Sequence, residues 1–91
     1  MKIEKIIWDQ ETVNHIARHA VSPEEVEEVF FNEDNKPVIL KGKEAKYLAY
    51  GETQTGRYLL VVWAIHYKKT VVITARDLTK KEKQFYRRTK R

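Results

Sequence analysis

The sequence predicts an α+β fold: an antiparallel sheet of about four to five strands, two amino-terminal helices packed on it, and a basic carboxy-terminal helix. Three observations predict it. Two helix starts follow one another in the first third of the chain, at Asp9 and at Ser22-Pro23-Glu24-Glu25. From Lys46 to Arg76, strand-length runs rich in Tyr, Val, Leu and Ile are separated by breaks of turn length. Thr79 and Glu82 then stand at the T-x-x-E spacing that opens a helix, and seven Lys or Arg follow between positions 80 and 91.

Taken in order, Lys2 to Trp8 reads as a first strand with Ile3, Ile7 and Trp8 as its buried contacts. Asp9 is a good N-cap for a helix from Gln10 to about Ala20. Val13, Ile16, Ala17 and Ala20 recur at helical spacing and make its apolar face. The next helix combines a serine cap, proline at the first helical position and a capping-box glutamate. Val26, Val29 and Phe30 form its core side, and the glutamates of its first turn suit the positive end of the helix dipole. Asn32 to Pro37 is a polar connection, Pro37 to Leu40 a short edge strand, and Lys41-Gly42-Lys43 a turn.

Lys46 to Glu52 is the next strand, and Thr53 to Gly56 a hairpin loop whose glycine supplies a positive φ. Arg57 to Ile65 is continuously apolar after its arginine, as a strand covered on both faces would be. His66 to Lys69 turns the chain, and Thr70 to Arg76 returns antiparallel, with Val72, Thr74 and Arg76 alternating against Val71, Ile73 and Ala75. The last helix keeps Leu78, Glu82, Phe85, Tyr86 and Thr89 on roughly one side.

Ninety-one residues suffice for one domain with one modest core, spanning 1–91. An apolar fraction of 42% is enough for the chain to fold. The absence of cysteine excludes disulfides, a thiolate nucleophile and a Cys-based zinc site, and fits a reducing cytoplasm. The opening residues place charges inside a short apolar run, unlike a secretory signal, and the longest apolar stretch, Tyr58 to Ile65, is far too short to span a membrane. Charge is divided unevenly. Residues 1–35 hold 3 basic and 9 acidic side chains, a net of −6, whereas residues 36–91 hold 15 basic and 4 acidic, a net of +11. A polyanion would meet the second part and be repelled by the first.

The candidates for chemistry follow from this division. Arg76 ends a strand beside a cationic helix start, and a guanidinium on rigid backbone offers a phosphate two parallel hydrogen bonds; its competing role is an ion pair with Asp77, Glu82 or a glutamate of the second helix. Arg57 and Lys46 stand at other strand ends of the same basic sheet. His66 ends the central strand, where an imidazole suits acid–base work, against an ordinary hairpin histidine. Lys68, Lys69, Lys80, Lys83 and Arg87 would track a phosphate backbone. His15 and His19 share a helix face, but without an HExxH glutamate or a cysteine they do not form a metal site; His19 is expected to close the helix end by donating to late carbonyls. Trp8 is read as core, and the five tyrosines as half-buried sheet residues or stacking platforms for single-stranded bases.

Together these residues resemble the BrnT-type toxins of bacterial toxin–antitoxin pairs, related in fold to the RelE/ParE group. The amino-terminal pattern W-D…N-x3-[KR]-H-x-V-S-x-E-E-x-x-x-V-F is carried by Trp8, Asp9, Asn14, Arg18, His19, Val21, Ser22, Glu24, Glu25, Val29 and Phe30. Tyr47, Gly51 and Gly56 precede an apolar strand, and Thr74-Ala75-Arg76 is followed by Thr79, Glu82 and Tyr86. Departures are Ala20, where the pattern has glycine, and Val71, where it has a basic residue; Ile65, His66 and Tyr67 fill the region where a basic or acidic group is usual.

The resemblance implies a RelE-like ribonuclease that cuts RNA without metal or cofactor by attack of the ribose 2′-hydroxyl on the adjacent phosphate. It also implies silencing by a cognate antitoxin, and contact with operator DNA only through the antitoxin complex. Arg76 would hold the scissile phosphate, Lys46 and Arg57 would assist, and His66 or Tyr86 would transfer protons. The competing reading is a non-catalytic module of the same fold that binds nucleic acid or an acidic partner segment.

Overall fold

The computed structural model describes residue 3 and residues 5–90. Its elements run β1 (Ile6–Ile7), α1 (Gln10–Ala17), α2 (Pro23–Phe31), β2 (Val38–Lys41), β3 (Lys46–Glu52), β4 (Tyr58–His66), β5 (Lys69–Asp77) and α3 (Lys80–Thr89). The α+β class and the three helices follow the sequence reading. The five strands form one sheet in the order β1-β5-β4-β3-β2. From β2 to β5 the pairing is antiparallel, as expected for a meander. The first strand adds one parallel pair at the edge of the expected antiparallel sheet: β1 runs alongside β5, Ile6 opposite Thr70 and Ile7 opposite Val71. The reason lies in the chain path: α1 and α2 carry the chain from one sheet edge to the other before the meander begins, and its last strand returns alongside β1. The predicted first strand was longer; Lys2 and Glu4 lie outside the described residues, and within the remainder Ile6 is the core residue while Ile7 and Trp8 are half-buried.

Helix starts are where local chemistry predicts them. The Asp9 carboxylate accepts from the Thr12 N–H at 2.7 Å. Both capping boxes close: Ser22 with Glu25 around the start of α2, and Thr79 with Glu82 around the start of α3. The end of α1 differs from expectation. The helix stops at Ala17, and Ala20 adopts φ 57. Val21 N–H then bonds Ile16 C=O at 3.1 Å and Ala20 N–H bonds Ala17 C=O at 2.9 Å, which is the bond pair of a Schellman stop. Alanine occupies the left-handed position that normally favours glycine. Of the predicted apolar face only Ile16 is buried; Val13 is half-buried and Ala17 and Ala20 are exposed. Helix α1 lies along β5 at the side of the sheet, so only one line of its surface meets the core.

Helices α1 and α2 cover one face of the sheet. The core there gathers Ile16, Val26, Val29 and Phe30 with Leu59, Val61, Trp63, Val72 and Ala75. Trp63 is fully buried, edge-on to Phe30 at 5.0 Å and stacked on Tyr47 at 5.5 Å. Gly51 lets α2 approach β3: a Cβ there would stand 2.8 Å from Val29 Cγ1. On the opposite face a smaller cluster joins Leu60 to Leu78, which precedes α3, and to Tyr86 of α3.

A register shift opposite Val62/Trp63 leaves Ile73 as an extra residue, so Trp63 pairs with Val72 and Val62 with Thr74. The strict alternation expected for β5 therefore breaks, and Val72 and Ala75, three apart, both point into the helix-covered core. The β4–β5 turn is two residues, Tyr67 and Lys68, with φ 49 and 64, the mirror-image turn that suits strand twist.

Candidate functional site

Strand pairing decides which of the predicted residues can work together. Tyr50, Leu60 and Arg76 lie in one row across β3, β4 and β5, on the face that α3 partly covers. Arg57 precedes β4 by one residue and therefore points to the other face. There it is saturated: Nε and Nη2 donate to the two Asp77 carboxylate oxygens at 2.8 and 3.2 Å, Nη1 donates to the Glu25 carboxylate at 3.1 Å, and Nη1 and Nη2 cap the end of α1 through Ala20 C=O (2.6 Å) and His19 C=O (3.2 Å). The capping expected of the His19 side chain thus comes from Arg57. The Arg57 guanidinium holds Asp77 below its ordinary 3.8. Burial pushes Glu25 upward, but the Ser22 N–H and Arg57 outweigh it and leave the carboxyl below 4.5.

Arg76 makes a bidentate pair with Glu82 at 2.8 and 3.0 Å and also donates to Asp77 C=O at 3.0 Å. The pair is accessible, with the arginine side chain 39% exposed. Arg76 and the Thr79 cap hold the Glu82 carboxyl at about 2, well under its ordinary 4.5. Glu82 thus serves two purposes, closing the first turn of α3 and occupying the guanidinium. Tyr50 stands beside this pair; burial and the Glu82 charge raise its pKa, while Arg76 opposes them. Sequence reasoning did not single out Tyr50, because only the β3–β4–β5 register brings it into the Arg76 row.

Tyr86, the buried residue of α3, faces the sheet, and its hydroxyl donates to Glu52 at 3.0 Å. Burial and the Glu52 carboxylate push its pKa upward, so the phenol keeps its proton. Tyr58 lies under two cations of α3, Lys83 Nζ at 5.8 Å and the Arg87 guanidinium at 5.5 Å from its ring centre. This end of the sheet therefore combines Arg76, Glu82, three tyrosines and the basic helix; Lys80 is exposed at its start, and Arg91 lies outside the described residues.

Lys46, His66, Lys68 and Lys69 gather at the opposite end. Lys46 pairs in register with Ala64 and reaches Glu44 at 3.4 Å. His66 is exposed with its ring against Tyr67 at 4.4 Å. Along β4, the His66 row lies roughly 20 Å from the Arg76 row at about 3.3 Å per residue. His66 and Arg76 therefore do not converge on one phosphate in this arrangement.

His15 Nε2 lies 3.0 Å from Thr74 Oγ1, tying α1 to the bulge, and its ring meets His19 edge-on at 5.8 Å. Among the described residues no three of His, Asp and Glu are grouped as a metal ion would require. Trp8 is half-buried with its indole N–H on Glu27 at 3.1 Å, a wall of the core as expected. No helix among the described residues is long and apolar enough to cross a membrane.

A sheet with helices on one face and an accessible Arg–Glu pair, tyrosines and a basic helix on the other defines a compact α+β protein with a cationic end. Compared with known families, residues 8–82 match the family described as "Ribonuclease toxin, BrnT, of type II toxin-antitoxin system", and the chain belongs to that family. Its members are ribonuclease toxins whose systems include an antitoxin protein. None of the curated proteins compared with the chain matches it.

Proposed function

We propose that the chain is an endoribonuclease toxin of the cytoplasm that cleaves RNA without metal or cofactor, and that its active site is the Arg76 end of the sheet. The observation that carries this reading is Arg76 itself: a half-exposed guanidinium fixed at a strand end, poised for bidentate contact, in the same row as Tyr50 and at the sheet end that the basic α3 crosses. A scissile phosphate takes the place of the Glu82 carboxylate on Arg76, and the guanidinium then stabilises the charge of the phosphorane.

Freed from Arg76, Glu82 loses the charge that depresses its pKa and becomes a stronger base, able to take the 2′-hydroxyl proton. The Tyr50 hydroxyl, whose raised pKa keeps it protonated, gives a proton to the departing 5′-oxygen. Proton balance is then complete: one proton leaves the 2′-oxygen, one reaches the leaving oxygen, and a cyclic phosphate remains. In this reading Arg57 and Tyr86 position rather than react. Arg57 braces the far side of β4 and β5, and Tyr86 seats α3. Lys80, Lys83 and Arg87 hold the RNA backbone beside the site, while Lys46, His66, Lys68 and Lys69 hold it at the far end. Operator DNA is reached only through the antitoxin complex.

The test is cleavage of a synthetic RNA by purified protein in EDTA, with the product ends identified. Wild type is expected to leave 2′,3′-cyclic phosphates, and Arg76→Ala to cleave about 10²–10³-fold more slowly while still folding. Equal rates for the two proteins would refute the assignment.

A further inference from the structure

A two-residue mirror-image turn takes positive φ at both positions and favours Asn-Gly there. The β4–β5 turn has Tyr67 and Lys68 instead, at φ 49 and 64. A bulky side chain in the left-handed region is strained, because its Cβ crowds the following carbonyl. Packing does not offset that strain: Tyr67 is 85% exposed, and Lys68 is exposed beside it. The tyrosine ring meets His66 edge-on, centre to centre 4.4 Å. A residue that strains its turn and buries almost nothing serves something outside the fold.

Strand register shows what surrounds it. Alternation along β4 puts Leu60, Val62, Ala64 and His66 on one face. This is also the face of Arg76, which pairs with Leu60. Lys69 stands opposite His66 and Lys46 opposite Ala64, so both lysines join that face at its hairpin end. Lys46 also reaches Glu44 at 3.4 Å. Ile65, 47% exposed, points to the opposite face and so does not extend the ring into an apolar patch. This combination selects the ligand. Aromatic anchors between proteins fill well-packed pockets, whereas Tyr67 stands at a tip, a flat ring among ammonium groups. Single-stranded bases stack on such rings while lysines hold their phosphates.

We infer that Tyr67 is a stacking anchor for one base of a single-stranded RNA, with His66 steadying the ring and Lys68 and Lys69 on the flanking phosphates. The inference deepens the ribonuclease reading and rests on it for one point, the place of the cut. The rows of Arg76 and His66 are roughly 20 Å apart, which is about six nucleotides at 3.4 Å per stacked nucleotide and fewer when the strand is extended. The anchored base therefore lies up to about six nucleotides from the scissile phosphate. By gripping it, the hairpin fixes where along an RNA the Arg76 end works.

The experiment measures, by fluorescence anisotropy, binding of a non-cleavable 2′-O-methyl RNA about 12 nucleotides long, twice that span. Wild type is compared with Tyr67→Asn and Tyr67→Trp. Asparagine suits the left-handed turn but cannot stack; tryptophan stacks and keeps the strain. Tyr67→Asn is expected to bind about 5- to 150-fold more weakly, the 1–3 kcal/mol of one base–ring stack. Its dependence of affinity on salt should match wild type, because no charge is lost. By circular dichroism it should melt at or above the wild-type temperature, since the turn is relieved. Tyr67→Trp should bind at least as tightly as wild type. Binding of Tyr67→Asn within about threefold of wild type overturns the inference. Equal losses in both variants overturn it too, because stacking would then not be the cause. A lower melting temperature for Tyr67→Asn would assign the tyrosine to the fold, and loss of antitoxin binding with RNA binding intact would make a protein its ligand; either result overturns it. Binding needs no catalysis: if wild type cleaves no RNA but Tyr67→Asn loses the oligonucleotide, the anchor stands and the ribonuclease assignment alone fails.

Discussion

Replacing Arg57 by alanine separates a structural clamp from a phosphate-binding cation. The guanidinium joins four segments: the end of α1, the start of α2, the beginning of β4 and the end of β5. Hydrogen bonds to charged groups contribute about 1.5–3 kcal/mol each at best. Asp77 is 63% exposed, so its fork contributes nearer the 0.5–1 kcal/mol of a surface pair. Glu25 is only 26% exposed, and two helix-end carbonyls also lose their donor, for about 2 kcal/mol more. The sum is about 3 kcal/mol, which lowers the melting temperature by roughly 12–24 °C in a domain of this size.

The assay is thermal unfolding by circular dichroism at pH 7 and again near pH 3. Glu25 and Asp77 both have depressed folded pKa values, so their contribution is fully present above the ordinary 4.5 and 3.8 and is lost as pH falls through the folded values. The gap between wild type and variant should therefore narrow in acid. Lysine should rescue only in part, because a single ammonium cannot keep a fork on Asp77 and reach both carbonyls. A variant that melts within about 3 °C of wild type yet loses RNA binding would refute the clamp and make Arg57 a ligand group.

The remaining predictions concern neighbouring features. Ala20→Gly should stabilise by about 0.5–1 kcal/mol, since relief of about 1–2 kcal/mol at φ 57 exceeds the extra entropy cost of glycine; denaturant midpoints measure it, and an unchanged or lower midpoint would show that the turn is unstrained. Glu82→Gln should remove stability that wild type loses only as pH falls from 4.5 toward about 2. The full shift corresponds to about 3 kcal/mol, and solvent screening at the half-exposed Arg76 leaves about 1–2; parallel acid-unfolding curves for the two proteins would count against it. Gly51→Ala should cost about 1–3 kcal/mol, because the added methyl meets buried Val29 at 2.8 Å, as urea unfolding will show.

What was legible in the sequence was governed by near neighbours. Ser22-Pro23 with Glu25, and Thr79 with Glu82, announce their helices because a cap is satisfied within one turn. Lys46–Glu52 was readable to the residue because Gly42 and Gly56 fall in the turns on either side of β3. The basic character of α3 needs no folding at all to be seen. The family pattern carried further than any of these, since it depends on order along the chain.

The tertiary structure decided what depends on residues far apart in sequence. Whether Arg57 and Arg76 share a site is a question of strand parity and of what lies over each face. Only folding sets Glu25, His19 and Ala20 against one guanidinium and leaves the other accessible. The bulge at Ile73, the parallel return of β1 beside β5 and the placing of Tyr50 in the Arg76 row are likewise matters of register. Register is fixed by pairing energies summed across the sheet, so no local stretch of the chain contains it. The sequence determined that a cationic end exists; the sheet determined that Arg76 is the arginine left accessible on its open face.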